Sequence, residues 1–117
     1  MIISSRKLNQ YLDNQLVRSL AQVITDLKDI DESLIFIKDF FTEAELKTYA
    51  KRLAISYWLK KSRSYTNIKE NLKVSSATIA EISSMTKSKG LQIALKKMEA
   101  EEWANIWSER IKKVCRI

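Results

Sequence analysis

The residues best suited to chemistry in this 117-residue chain are cations, and they are concentrated in one segment. Residues 60–98 carry 9 of the 21 lysines and arginines but only 2 of the 14 acidic residues. Basic and acidic residues are equal in number both before and after this segment. The whole formal net charge of +7 therefore falls within residues 60–98, as expected of a surface that binds nucleic-acid phosphates.

Other kinds of chemistry have few candidate residues. The chain has no histidine and one cysteine, so it lacks a ligand set for zinc and cannot form an intrachain disulfide. No nucleophile, base and paired carboxylates occur in a pattern typical of a catalytic site. We therefore predict that the protein is not an enzyme and uses no cofactor. A small helical nuclease is the enzymatic alternative, and a metal-dependent cleavage assay would reveal it.

Two short helices are predicted within residues 65–87, at the centre of the basic segment. The first ends at Leu72, and the second begins with Ser75 or Ser76 as its N-cap. This is the spacing of a helix-turn-helix. The apolar residues expected to hold the two helices together are Ile68, Leu72, Val74, Ile79 and Ile82.

The second helix would then present small and hydroxylated side chains to a DNA groove. The candidates for contact with base edges are Ser76, Ala77, Thr78, Ala80 and Glu81. The candidates for phosphate contacts, which supply affinity without sequence information, are Lys60, Lys61, Arg63, Thr66, Lys69, Lys73, Lys87 and Lys89. The carboxylate of Glu81 would either disfavour phosphates or accept from a cytosine amino group, and the sequence leaves both open.

The composition, with one glycine and no proline, predicts an all-α chain. Four further helices are predicted: roughly 6–27, capped by Ser4 or Ser5; 32–41, capped by Asp31; 43–61, opened by a capping box of Thr42 and Glu45; and 91–114. We predict a single domain over residues 1–117. It would comprise core and dimerisation helices in 1–61, the helix-turn-helix in 65–87 and a C-terminal helix in 90–115. Residues 83–90 look the most flexible.

The first helix carries a wide apolar stripe that includes Leu12, Leu16 and Leu20. A single chain would expose much of this stripe, so we expect it to pack against a second copy rather than fold back. The helix at 32–41 is apolar on most sides and is predicted to be buried between other helices. Residues 99–102 are interpreted as a solvated interruption. Trp103 and Trp107 are expected to cap the core or the dimer seam, and stacking on a base or ligand is the alternative. No apolar run is long enough to cross a membrane, and we expect a cytoplasmic protein.

Four motifs of the chain form a recognisable set: Phe41-Thr42-Glu43-Ala44-Glu45-Leu46, Lys51-Arg52-Leu53, Tyr65-Thr66-Asn67-Ile68 and Ser76-Ala77-Thr78-Ile79. They resemble the Trp repressor superfamily, and its Trp repressor-like branch more than the tryptophan-binding repressor itself. The resemblance covers about residues 32–98. It implies an intertwined homodimer of about six helices per chain, joined through the N-terminal helices and the C-terminal helix. Two helix-turn-helix heads would bind double-stranded DNA and regulate transcription, with repression the expected outcome.

One departure from the family pattern concerns its effector pocket. Two arginines hold the ligand in the tryptophan-responsive repressor. Arg52 matches the first, with Lys51 as an alternative register, but the second position holds Glu81. Because this carboxylate would repel that of tryptophan, we expect no tryptophan corepressor and an Arg52–Glu81 pair that closes the pocket. The functional alternatives are a protein-interaction module and a DNA binder without operator recognition.

Overall fold

The computed structural model describes the backbone of residues 9–115 and the side chains of residues 9–102. These residues form six helices and no strand: α1 (Gln10–Asp26), α2 (Ile30–Phe40), α3 (Glu43–Lys60), α4 (Tyr65–Leu72), α5 (Ser76–Ser83) and α6 (Lys89–Cys115). The predicted all-α fold class is confirmed. The chain divides into two compact units, with the boundary between Leu46 and Lys47. Within the described residues, no helix combines the length and apolar composition that crossing a bilayer requires.

Asn9 caps α1, where its side chain accepts from the backbone N–H groups of Tyr11 and Leu12 at 2.8 and 3.4 Å. These bonds satisfy donors that have no partner within the first turn of a helix. The predicted start of this helix, at residue 6 with a serine cap at position 4 or 5, lies outside the described residues. The helix that is described ends at Asp26, one residue before the predicted end.

The predicted cap of α2, Asp31, is wrong. The cap is Asp29, whose carboxylate accepts from the backbone N–H of Glu32 at 2.9 Å. Asp29 has an extended backbone, which is the conformation of a capping residue, whereas Asp31 already lies in the first helical turn. There its negative charge is favourable near the positive end of the helix dipole.

Thr42 and Glu45 form the predicted capping box at the start of α3. The backbone N–H of Thr42 donates to Glu45 Oε1 at 2.9 Å, and that of Glu45 donates to Thr42 Oγ1 at 3.1 Å. The hydrogen bond from the Thr42 backbone is the main cause that lowers the pKa of Glu45. Because the pKa is depressed in the folded state, this contribution to stability is present above the pKa of the unfolded chain. It is lost as the pH falls through the folded value.

The apolar side chains of α1 and α2 are left uncovered in the single chain, and neither helix buries a residue. This confirms the predicted exposure of the stripe on α1, where Leu16 is 53% exposed. The predicted burial of α2 between other helices is wrong for the single chain, since Ile35 and Phe40 are 65% and 56% exposed. Aromatic contacts of Phe40 are with its chain neighbours Phe36 and Phe41, at centroid distances of 5.0 and 5.3 Å.

Four isoleucines form the core of the second unit where α3, α4 and α5 meet. Ile55, Ile68 and Ile79 are fully buried, and Ile82 is 4% exposed. Partly buried apolar side chains pack against this four-isoleucine core, namely Trp58, Leu59, Leu72 and Val74. The five predicted anchors of the helix-turn-helix therefore all lie in or against the core.

The connections around α4 use left-handed backbone conformations at residues other than glycine. Ser62 has φ 62° between α3 and α4, and Lys73 has φ 55° at the C-cap of α4. Such a conformation costs about 1–2 kcal/mol in a residue with a Cβ atom, so the surrounding packing must stabilise both turns.

The segment after α5 is folded into turns rather than an open loop. Backbone N–H groups of Met85 and Ser88 donate to Ile82 and Met85 carbonyls at 2.9 and 3.1 Å. The next helix, α6, begins at Lys89, two residues earlier than predicted, and Gly90 lies in its first turn.

Replacing Ile68 with alanine should lower the free energy of unfolding by about 2–5 kcal/mol, because it leaves a cavity in a well-packed core. Glu70, which is exposed on the same helix, provides a control, and E70A should change stability by about 0.5 kcal/mol or less. Urea denaturation followed by circular dichroism measures both. Equal losses in the two variants would contradict the assignment of the core.

Candidate nucleic-acid interface

The polar face of α5 is fixed by the burial of its opposite face. Ile79 and Ile82 point into the core, and Ser75 caps the helix by accepting from the backbone N–H of Thr78 at 3.1 Å. Four of the five residues predicted to face bases are exposed: Ser76, Ala77, Ala80 and Glu81. The structure thus presents a surface of small side chains at the beginning of the helix, with a carboxylate one turn further along.

Thr78, the fifth residue predicted to face bases, is only half-exposed. Its hydroxyl lies 2.9 Å from Ser75 Oγ, and its side chain also lines a cavity described below. Thr78 therefore takes part in the start of the helix, and its hydroxyl is less available to a groove than that of Ser76.

Arg63 is held in place by three contacts in the connection before α4. Its guanidinium carbon lies 4.1 Å from the centroid of the Trp58 ring, and its Nη1 donates to Asn67 Oδ1 at 3.4 Å. Its backbone N–H donates to the Trp58 carbonyl at 3.1 Å. A planar guanidinium that stacks on an indole keeps its charge and its other N–H groups, so Arg63 is a positioned cation.

Five further residues predicted to contact phosphates are exposed on α4, on the turn after it and around the start of α6: Thr66, Lys69, Lys73, Lys87 and Lys89. Their four ammonium groups form no ion pair with any described residue. Since the surface charge is not neutralised by neighbouring carboxylates, these lysines can exchange their counterions for phosphates.

Lys60 and Lys61, also predicted to contact phosphates, differ from the other lysines because both have acidic partners. Lys60 Nζ lies 3.4 Å from a Glu99 carboxylate oxygen, and Lys61 Nζ lies 3.6 Å from one of Glu102. The interpretation of residues 99–102 as a solvated interruption missed these ion pairs. The spacing of the two glutamates, three residues apart, places them on one face of a helix but does not indicate which residues that face contacts.

A cavity of about 350 Å³ brings together the two residues proposed for the effector pocket, Arg52 and Glu81. Thr48, Lys51 and Met85 also line it, and the sequence-based interpretation did not include Thr48 or Met85. The expected ion pair between Arg52 and Glu81 is not formed in the described part of the chain. Instead, the Arg52 guanidinium lies 5.8 Å from the centroid of the Tyr49 ring, and the cavity stays open.

The chain thus holds an exposed helix with small polar side chains, and the segments before and after this helix carry a positioned arginine and several exposed lysines. A groove of DNA can accept such a helix while the cations contact the flanking phosphates. All these residues belong to the second compact unit.

Comparison with known proteins gives a consistent result. The model of a family described as Trp repressor protein matches residues 15–99. The solved structure of a TrpR-like protein from Eubacterium eligens ATCC 27750 is similar, with 29% sequence identity and a TM-score of 0.70 over 78% of this chain and 96% of that chain. None of the curated proteins matches the chain. Because the family match spans more than half of the sequence, the chain belongs to the Trp repressor family.

Proposed function

We propose that this protein is a transcriptional regulator that binds double-stranded DNA sequence-specifically as a homodimer, and that it represses by occluding a promoter. The observation that carries the proposal is the exposed polar face of α5 within the segment that holds the entire excess of positive charge. Membership of the Trp repressor family supports a helix-turn-helix DNA-binding regulator.

The exposed cations and the small residues of α5 would have different roles in DNA recognition. Arg63 and the exposed lysines supply affinity for any sequence through phosphate contacts. Ser76 can exchange hydrogen bonds with base edges, and the methyl groups of Ala77 and Ala80 can pack against thymine. Because the side chains on this face are small, the helix can approach the groove closely and leave room for water-mediated contacts.

A DNA binder without operator recognition, or a protein-interaction module, is the second candidate function. It is favoured by the exposed carboxylate of Glu81 and by the absence of arginine from α5. A carboxylate on α5 repels phosphates, although it can also accept a hydrogen bond from a cytosine amino group. The two candidates differ in whether binding prefers a sequence.

The homodimer is supported by the uncovered apolar surface of α1. Its large apolar residues are between 38% and 73% exposed in the single chain: Tyr11, Leu12, Leu16, Val17, Leu20, Val23 and Ile24. An apolar surface of this kind on a water-facing helix marks an interface. We propose that the N-terminal helices and the C-terminal helix of a second copy cover it.

The main test is the salt dependence of DNA binding, measured by fluorescence anisotropy. Wild-type protein should bind duplex DNA with an affinity that falls steeply as salt rises, because phosphate contacts release counterions. Lys69→Ala should weaken binding equally for all sequences and reduce the slope of log K against log salt by about 1. Lys38→Ala, an exposed lysine of α2 outside the basic segment, should change neither quantity. An affinity for DNA that does not change with salt concentration would rule out the proposed interface.

The dimer is tested by the mass of the protein in solution. Leu16→Asp places a charge in the apolar stripe of α1 and should dissociate the dimer or unfold the protein. Asn14→Asp adds the same charge on the polar side of the helix and should leave the dimer intact. Sedimentation velocity at several concentrations distinguishes these states. A stable L16D dimer would show that the stripe is not the interface.

We further propose that tryptophan is not the corepressor, because Glu81 lines the cavity where a second cation would be needed. Calorimetric titration with tryptophan should give no saturable binding at micromolar concentrations. Glu81→Arg adds that cation and should bind tryptophan more tightly than wild type. Saturable micromolar binding to the wild-type protein would refute this part of the proposal.

A further inference from the structure

Two of the nine cations in the basic segment are engaged by carboxylates from the C-terminal helix. Glu99 lies 3.4 Å from Lys60, and Glu102 lies 3.6 Å from Lys61. The four side chains are 34–48% exposed, so both ion pairs lie at the surface. We call the two paired residues, Glu99 and Glu102, the acidic turn of α6.

The position of the acidic turn does not depend on the flexible lysine side chains. Leu95 is 3% exposed, and it lines a cavity of about 310 Å³ together with Leu59 and Lys60 at the end of α3. Glu99 follows Leu95 by four residues and therefore lies on the same face of α6. The burial of Leu95 thus aims the carboxylates of Glu99 and Glu102 at the C-terminal end of α3.

We propose that the acidic turn competes with DNA phosphates for Lys60 and Lys61, and that this competition lowers the affinity of the interface for DNA. A carboxylate resembles a phosphate oxygen as an acceptor of ammonium hydrogen bonds. A phosphate that binds either lysine must first displace a glutamate. This inference rests on the proposed function, because it concerns the same DNA-binding surface.

The competition is graded and does not abolish binding. Exposed ion pairs are weak, and losing one changes an equilibrium constant by at most about fivefold. Phosphates of DNA can therefore displace the glutamates at low salt. The other exposed cations, including Lys69 and Lys87, have no acidic partner among the described residues and keep their full attraction for phosphates.

The test compares variants that remove the same charge from different positions of one helical turn. Glu99→Gln and Glu102→Gln each remove a paired carboxylate, whereas Glu101→Gln removes one that forms no ion pair with a described residue. Binding to a mixed-sequence duplex is measured by anisotropy at several salt concentrations. Thermal denaturation of each variant shows whether the fold is preserved.

The double variant E99Q/E102Q should bind about tenfold more tightly at low salt, with a steeper salt slope, because two more lysines become available to phosphates. E101Q should change affinity by less than about twofold, since separated surface charges are screened. In a K60A/K61A background, the gain from E99Q/E102Q should disappear, which isolates the coupling between the two pairs.

The outcomes separate this inference from the proposed function. Wild-type protein that binds DNA while E99Q/E102Q binds no more tightly than E101Q would overturn the competition and leave the proposed function intact. A gain that persists in the K60A/K61A background would also overturn it. Tighter binding by E99Q/E102Q but not by E101Q, with the gain lost in the K60A/K61A background, would support it. No salt-dependent binding by any variant would overturn both.

Discussion

Burial of four isoleucines where α3, α4 and α5 meet is the constraint on which the candidate interface depends. Ile79 and Ile82 lie three residues apart on α5, and both are turned into the core. Because α5 buries only this face, Ser76 and Ala80 on its other side are exposed to water. The same core holds α4 through Ile68, and with it the position of Lys69. The core therefore determines where these exposed side chains lie, although they are not part of it.

Helix caps and a tight turn also fix the positions of α4 and α5. Ser64 and Ser75 cap α4 and α5 through hydrogen bonds of 3.1 Å to backbone N–H groups. Between these helices, Lys73 adopts a left-handed conformation that reverses the chain within a few residues. The short connection gives the two helices little freedom relative to each other, which suits a motif that must match a groove.

Sequence reasoning succeeded where the signal is local. The boundaries of α4 and the capping box of Thr42 follow from the spacing of apolar residues and from hydroxyl or acidic side chains at fixed offsets. The five apolar anchors of the helix-turn-helix follow from the same periodicity. The cap of α2 was misassigned because Asp29 and Asp31 are both good capping residues, and only the backbone conformation distinguishes them.

Contacts between residues distant in sequence could not be predicted in this way. Lys60 and Glu99 meet because Leu95 is buried beside α3, and no local spacing records that fact. An ion pair was expected between Arg52 and Glu81, and the structure brings them to one cavity without forming it. The predicted burial of α2 failed for a related reason, since the sequence shows how apolar a helix is but not whether other helices of the chain cover it.

The central proposal is sequence-specific DNA recognition by a dimer, and selection from random DNA tests it most directly. A random-sequence duplex pool would be mixed with the protein at moderate salt, and the retained fraction sequenced. We predict enrichment of a two-fold symmetric motif whose half-sites are about one helical turn apart. Salt-dependent retention without any enriched sequence would contradict operator recognition and leave a non-specific DNA binder.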